Sequence, residues 1–196
     1  MDSGKQFDPQ HTAVLIMDYQ NDILGMLPEE KQSSLLNGAT EILDAARAAG
    51  VRVIYIAVRF REGYPEVSTR NKGFGGLKTA KRMLEGTPGA EVHAQVAPKS
   101  GEIVLSKRRV GAFSTTELET VLRANNITNL VLLGISTSGV ILSTVRFAAD
   151  MDYVLTVISD ACADSDEEVH RVLMEKVFPR QANVLTREEF LKAFKA

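Results

Sequence analysis

Leu130-Val131-Leu132-Leu133-Gly134-Ile135-Ser136-Thr137-Ser138-Gly139-Val140 decides the fold. Its first four residues are apolar without polar alternation, which reads as a strand buried on both faces. A short run of small and hydroxyl residues follows. From Ser138 to Asp150 the pattern turns helical, with Ser138 as candidate N-cap. A buried strand that feeds a helix is the repeating unit of a parallel sheet, because parallel neighbours need a crossover connection.

Outward from this stretch the same unit recurs. Apolar, β-branched runs lie at Thr12 to Met17, Val51 to Val58, Ile103 to Leu105, Val154 to Ile158 and, more weakly, Ala182 to Leu185. Helical patterns lie at Ser33 to Ala49, Thr115 to Asn125, Glu167 to Phe178 and Arg187 to Phe194, the first closing at Gly50. The expectation is an α/β domain spanning residues 1–196, a three-layer, doubly wound, Rossmann-like sheet of six parallel strands with helices on both faces. Between Phe60 and Ser100 the rhythm breaks. Gly63, Gly73, Gly75, Gly76, Gly86 and Gly89 leave no long helical or strand pattern there, so the segment reads as an excursion beside the site, either a binding loop or a surface loop.

Charge narrows the partners. A net charge of -2 provides no broad electropositive surface, which argues against nucleic acid. No run approaches a membrane span, and the polar start from Met1 to Gln10 has no secretory apolar stretch, so a cytoplasmic location is expected. The one cysteine, Cys162, has no intramolecular disulfide partner, and His11, His93 and His170 are scattered, so neither a metal nor another cofactor is expected.

In such a fold, ligands sit beyond the carboxyl ends of the strands. The first run ends in Asp18-Tyr19-Gln20, and the third leads through Ser106 into Lys107. An aspartate and a lysine meeting there form either a catalytic pair, each tuning the other's proton affinity, or an ordinary ion pair at a strand edge.

Three features together resemble the isochorismatase-like superfamily, also called the cysteine hydrolases. They are Asp18-x-Gln20; Lys107 followed by Ala112-Phe113; and Gly134-Ile135-Ser136-Thr137 followed by Ser143-Thr144. The resemblance covers most of the chain. It implies a small-molecule hydrolase working as a homo-oligomer, a dimer or tetramer, with a triad of aspartate, lysine and cysteine. The first two map onto Asp18 and Lys107. The cysteine position, sixth after Gly134, is Val140, which has no nucleophilic atom. A shift by one residue to Gly139 is excluded by the spacing on both flanks. The resemblance also implies a cis peptide at Ile135-Ser136 and an oxyanion-type turn built from Ile135, Ser136, Gly139 and Val140. A glutamine ending the second strand marks the true isochorismatases; here the residue is Val58.

Cys162, in Asp160-Ala161-Cys162-Ala163, follows the fifth strand and reads as a small buried residue. Gln20, Arg59, Tyr64, Phe74 and Arg108, with Phe60, Arg61 and Arg109, are candidates to hold a carboxylate or aromatic group at the pocket mouth; a solvated surface is the alternative. Two functions remain open. One is hydrolysis by Asp18, Lys107 and water, and the other is a catalytically silent protein that binds a small ligand or partner protein through the same pocket.

Overall fold

In the computed structural model, which describes residues 7–195, the strand runs become a six-stranded, all-parallel sheet. The polar start from Met1 to Gln10 lies mostly outside those residues. The strands are β1 (Thr12–Met17), β2 (Arg52–Val58), β3 (Ile103–Lys107), β4 (Asn129–Ile135), β5 (Val154–Ala163) and β6 (Asn183–Leu185). Their order is β3-β2-β1-β4-β5-β6, so the winding direction reverses between β1 and β4, and the crevice at that reversal is where such sheets take ligands.

Alternate residues of each strand go to opposite faces, and in the central strands β1, β2 and β4 both faces are buried. Val14, Ile16, Val53, Tyr55, Val131 and Leu133 pack on one side with Leu35, Ile42 and Leu43 of α2 (Glu29–Ala48). Ala13, Leu15, Ile54, Ile56, Leu130 and Leu132 pack on the other with Leu118 and Leu122 of α4 (Leu118–Ala124) and Val145 and Ala148 of α5 (Leu142–Asp150). Burial on both sides is why these strands show no polar alternation. The remaining α-helices among the described residues are α1 (Asn21–Leu24), α3 (Lys72–Thr79), α6 (Glu167–Val172) and α7 (Arg187–Lys195). Among the described residues no helix is long and apolar enough to cross a membrane.

Three expectations need correction. The excursion from Phe60 to Ser100 contains α3, despite three glycines; the Asn71 side chain caps it by accepting from the Phe74 N–H at 3.1 Å, and Phe74 packs edge-on against Phe60 at 5.2 Å. Ser138 is not the cap of the following helix. It lies inside a π-helical turn, Thr137–Ile141, whose N-cap position is Ser136, and its own N–H donates to Asp164 Oδ2 at 2.7 Å. Cys162 lies within β5, not after it. A bulge between Leu132 and Gly134 lets β5 swing out through Ile158–Ala161 and rejoin β4 with Cys162 opposite Gly134.

Candidate active site

The sheet register brings Asp18 and Lys107 together. Val58 at the end of β2 pairs with Lys107, and Asp18 follows β1 with its N–H donating to Ile56 O at 2.8 Å. Their backbones stand two strands apart, roughly 10 Å, a gap that needs a long side chain to bridge. Lys107 provides it: Nζ lies 2.8 Å from Asp18 Oδ2, with both side chains almost fully buried. Asp18 sits at φ 60°, a left-handed conformation that aspartate tolerates better than most residues and that ends the strand abruptly. Its other oxygen, Oδ1, accepts from the Val58 N–H at 3.1 Å.

The ammonium of Lys107 has three donors and uses all three, on Asp18, on Arg109 O at 3.1 Å and on Val110 O at 2.9 Å. It is therefore a fixed positive charge. Burial pushes the Asp18 carboxyl above the ordinary carboxylate range, with Lys107 and the Val58 N–H opposing that rise. The result is a carboxylate more basic than one in water, held in one orientation.

Both groups line a cavity of about 240 Å³ at the β1/β4 reversal. Val58, Ile135, Ser136 and Val140 form its sheet-end wall, and Ile23, Phe74, Leu77 and Met83 make much of the rest apolar. The Ile135-Ser136 peptide is cis. Gly139 lies against Ser136 so closely that a Cβ there would stand 2.6 Å from its Oγ and would have to displace that hydroxyl.

A family model for the isochorismatase domain matches residues 12–189, nearly the whole described chain. The chain belongs to the isochorismatase family. Among its relatives is the ureidoacrylate amidohydrolase RutB of Agrobacterium fabrum, 31% identical over 174 residues, covering 78% of this chain and 76% of that protein. Another, from Arabidopsis thaliana, bears the name "Probable inactive nicotinamidase"; it is 30% identical over 167 residues, covering 82% of this chain and 85% of its own. A solved cysteine hydrolase from Pseudomonas syringae pv. phaseolicola superposes with a TM-score of 0.88 at 24% identity, covering 96% of this chain and 94% of that one, a likeness of fold.

Within this isochorismatase fold the other candidates divide. Phe74 lines the cavity. Gln20 is buried behind it, clamping Val58 from both sides, with its Oε1 accepting from Val58 N and its Nε2 donating to Val58 O, and reaching Ala90 O at 2.6 Å. Arg59 is paired with Glu91 at 2.9 Å, and Arg108 lies between Glu66 and Glu85, both at 3.4 Å; neither lines the cavity. Tyr64 and Phe60 are core residues, not solvated ones, the Tyr64 hydroxyl donating to Arg82 O. Cys162 is buried on β5 outside this cavity, and burial pushes its thiol up to about 12. Sequence reading missed Ile23, Met26, Leu27, Leu77, Met83, Val110 and Ser165 as lining residues. They lie in loops and short helices, and only the grouping of glycines around Phe74 and Leu77 hinted that part of this wall folds over the sheet.

Among the described residues no group of three or more His, Cys, Asp or Glu side chains is placed to hold a metal ion.

Proposed function

We propose that this isochorismatase-family chain hydrolyses the C–N bond of a small amide or carbamate with water as nucleophile, Asp18 as general base and then acid, and Lys107 as the charge that orients it. The observation that carries the reading is the buried 2.8 Å pair of Asp18 and Lys107 opening on a cavity with Val140 in its wall. Asp18 takes a proton from water as the oxygen adds to the carbonyl carbon, then returns it to the leaving nitrogen as the C–N bond breaks. A basic carboxylate suits both halves. Val140 has no atom that could form a thioester, so the route through water replaces the thiol route of cysteine hydrolases. The amidohydrolase name of the Agrobacterium relative supports an amide-type bond over an ether.

A second reading, a silent protein binding a small ligand through the same cavity, draws on Val140 and on the inactive description of the Arabidopsis relative. Ammonia release from a panel of aliphatic amides and carbamates, and carbonyl release from vinyl ethers, separates the two when run beside Asp18→Asn. Turnover by the parent that the variant lacks supports the hydrolase. Binding without turnover in both favours the silent protein.

A further inference from the structure

We infer that this site selects amides whose acyl chain is uncharged and apolar and whose far end is neutral or cationic, and that it rejects substrates bearing a carboxylate; this rests on the hydrolase reading above. Two independent observations support it. First, the inner cavity has no cation to spare. All three donors of Lys107 are bound within the protein, so a substrate carboxylate would lie near that of Asp18 with no ammonium proton available to it. Arg59 and Arg108 are held by Glu91, Glu66 and Glu85 outside the lining, and Arg109 donates to the carbonyls of Arg108 and Glu66. An anion there is desolvated, unpaired and repelled.

Second, the inner cavity is adjacent to an outer cavity of about 510 Å³, with Met26, Leu27 and Ser165 lining both. The outer cavity adds Glu30, Asp164 and Glu167 against Lys31 alone, so its charge is net negative. Asp164 keeps its negative charge while its Oδ2 accepts from the Ser138 N–H, and Glu30 and Glu167 are exposed beside it. Such a field raises the local concentration of neutral and cationic molecules relative to anions. The same features serve product release: amide hydrolysis generates a carboxylate beside Asp18, and a site with no cation for it lets it go.

The test uses two matched pairs. Butyramide and succinamic acid place the charge difference within the inner cavity; 6-aminohexanamide and the monoamide of adipic acid place it in the outer one. The measurements are kcat/KM from ammonia release and thermal shift for binding. Each acid is expected to fall below its partner by at least about tenfold in kcat/KM. The double variant Glu30→Lys/Glu167→Lys, at two exposed positions, narrows the gap for the adipic monoamide and leaves that for succinamic acid unchanged. Acids that react or bind as well as their partners overturn the inference, as does the absence of binding by every probe. If no amide is hydrolysed but the thermal shifts keep the same order, the hydrolase reading fails and the charge selection stands.

Discussion

Val140, in the turn that follows β4, and Cys162, near the end of the neighbouring β5, occupy opposite settings. Val140 lies in the wall of the cavity that holds Asp18 and Lys107, beside the turn that opens α5, where a buried base and a fixed positive charge would activate a nucleophile. Cys162, a residue capable of nucleophilic attack, is on β5 opposite Gly134, 2% exposed, its thiol pushed up to about 12 by burial. On the proposed function, reactivity would belong to the position more than to the residue type. Changing one side chain at a time can test whether the setting around Val140 is chemically competent and whether Cys162 is only packing.

The largest effect is expected from Asp18→Asn, which removes the proposed base and keeps the shape. On the best amide of the panel its kcat should fall by about 10²- to 10⁴-fold. The pH profile of the parent sharpens this. Asp18 acts as base only when ionised and its carboxyl is raised by burial, so activity should be lost on acidification at a pH above the ordinary carboxylate range. A parent profile with no acid limb, or an Asp18→Asn variant as active as the parent, would remove Asp18 from the chemistry.

Next is Val140→Cys. The new thiol would lie near Lys107 and the start of α5, both of which favour thiolate, so its alkylation by iodoacetamide should titrate below the ordinary ~8.5. At pH 7.5 its rate should exceed that of Cys162 in the parent by about a hundredfold or more, since a thiol raised to about 12 is almost wholly protonated there. A titration at or above ~8.5 would mean that the cavity has no activating field, and the silent-binder reading would then be the better one.

Lys107→Met comes third and is read in stability. It leaves Asp18 buried without its counter-charge, and breaking a buried pair from one side costs about 3–5 kcal/mol. The sign with pH follows from the Asp18 shift. A carboxyl whose folded pKa is raised keeps its proton in the native state, so its contribution to stability is greatest below the unfolded pKa and fades as pH rises through the folded one. The deficit of Lys107→Met should therefore shrink on acidification, measured as urea midpoints at pH 5 and pH 8. An equal deficit at both would show that Asp18 is not the group left unpaired.

How far sequence led differs between the two sides of this comparison. The strands were legible because burial on both faces forces continuous apolar runs, and Asp18 and Lys107 because each is a charge at the end of such a run. Cys162 was misplaced because the bulge after Leu132 carries β5 past polar Ser159 and Asp160, residues that read as the end of a strand. The cavity wall was largely invisible. Ile23, Met26 and Met83 come from short or irregular segments whose apolar residues repeat with no period, and their convergence is set by packing across distant parts of the chain. Tyr64 and Phe60 looked like mouth residues for the same reason, and the structure buries them against Phe74 and Met83 in the core on that face of the sheet.

The smallest effect is expected from Cys162→Ala, and it tests the packing half of the comparison. Cys162 belongs to the cluster formed with Leu132, Val157 and Leu173 on one face of the sheet. Deleting one buried sulfur there removes dispersion contacts and leaves a void of about one heavy atom, so the fold should lose about 1 kcal/mol, seen as a small drop in the denaturation midpoint with an unchanged m-value. Because the residue lies outside the cavity lined by Asp18 and Lys107, kcat and KM for the best amide should stay within about twofold of the parent, which is within the range of small packing adjustments. Val140→Cys in this background then has a single thiol, and its alkylation rate reports the cavity alone. A Cys162→Ala protein that keeps its midpoint but loses turnover would place the thiol in the chemistry, and the contrast between the two strand ends would fail at the residue where it looks most secure.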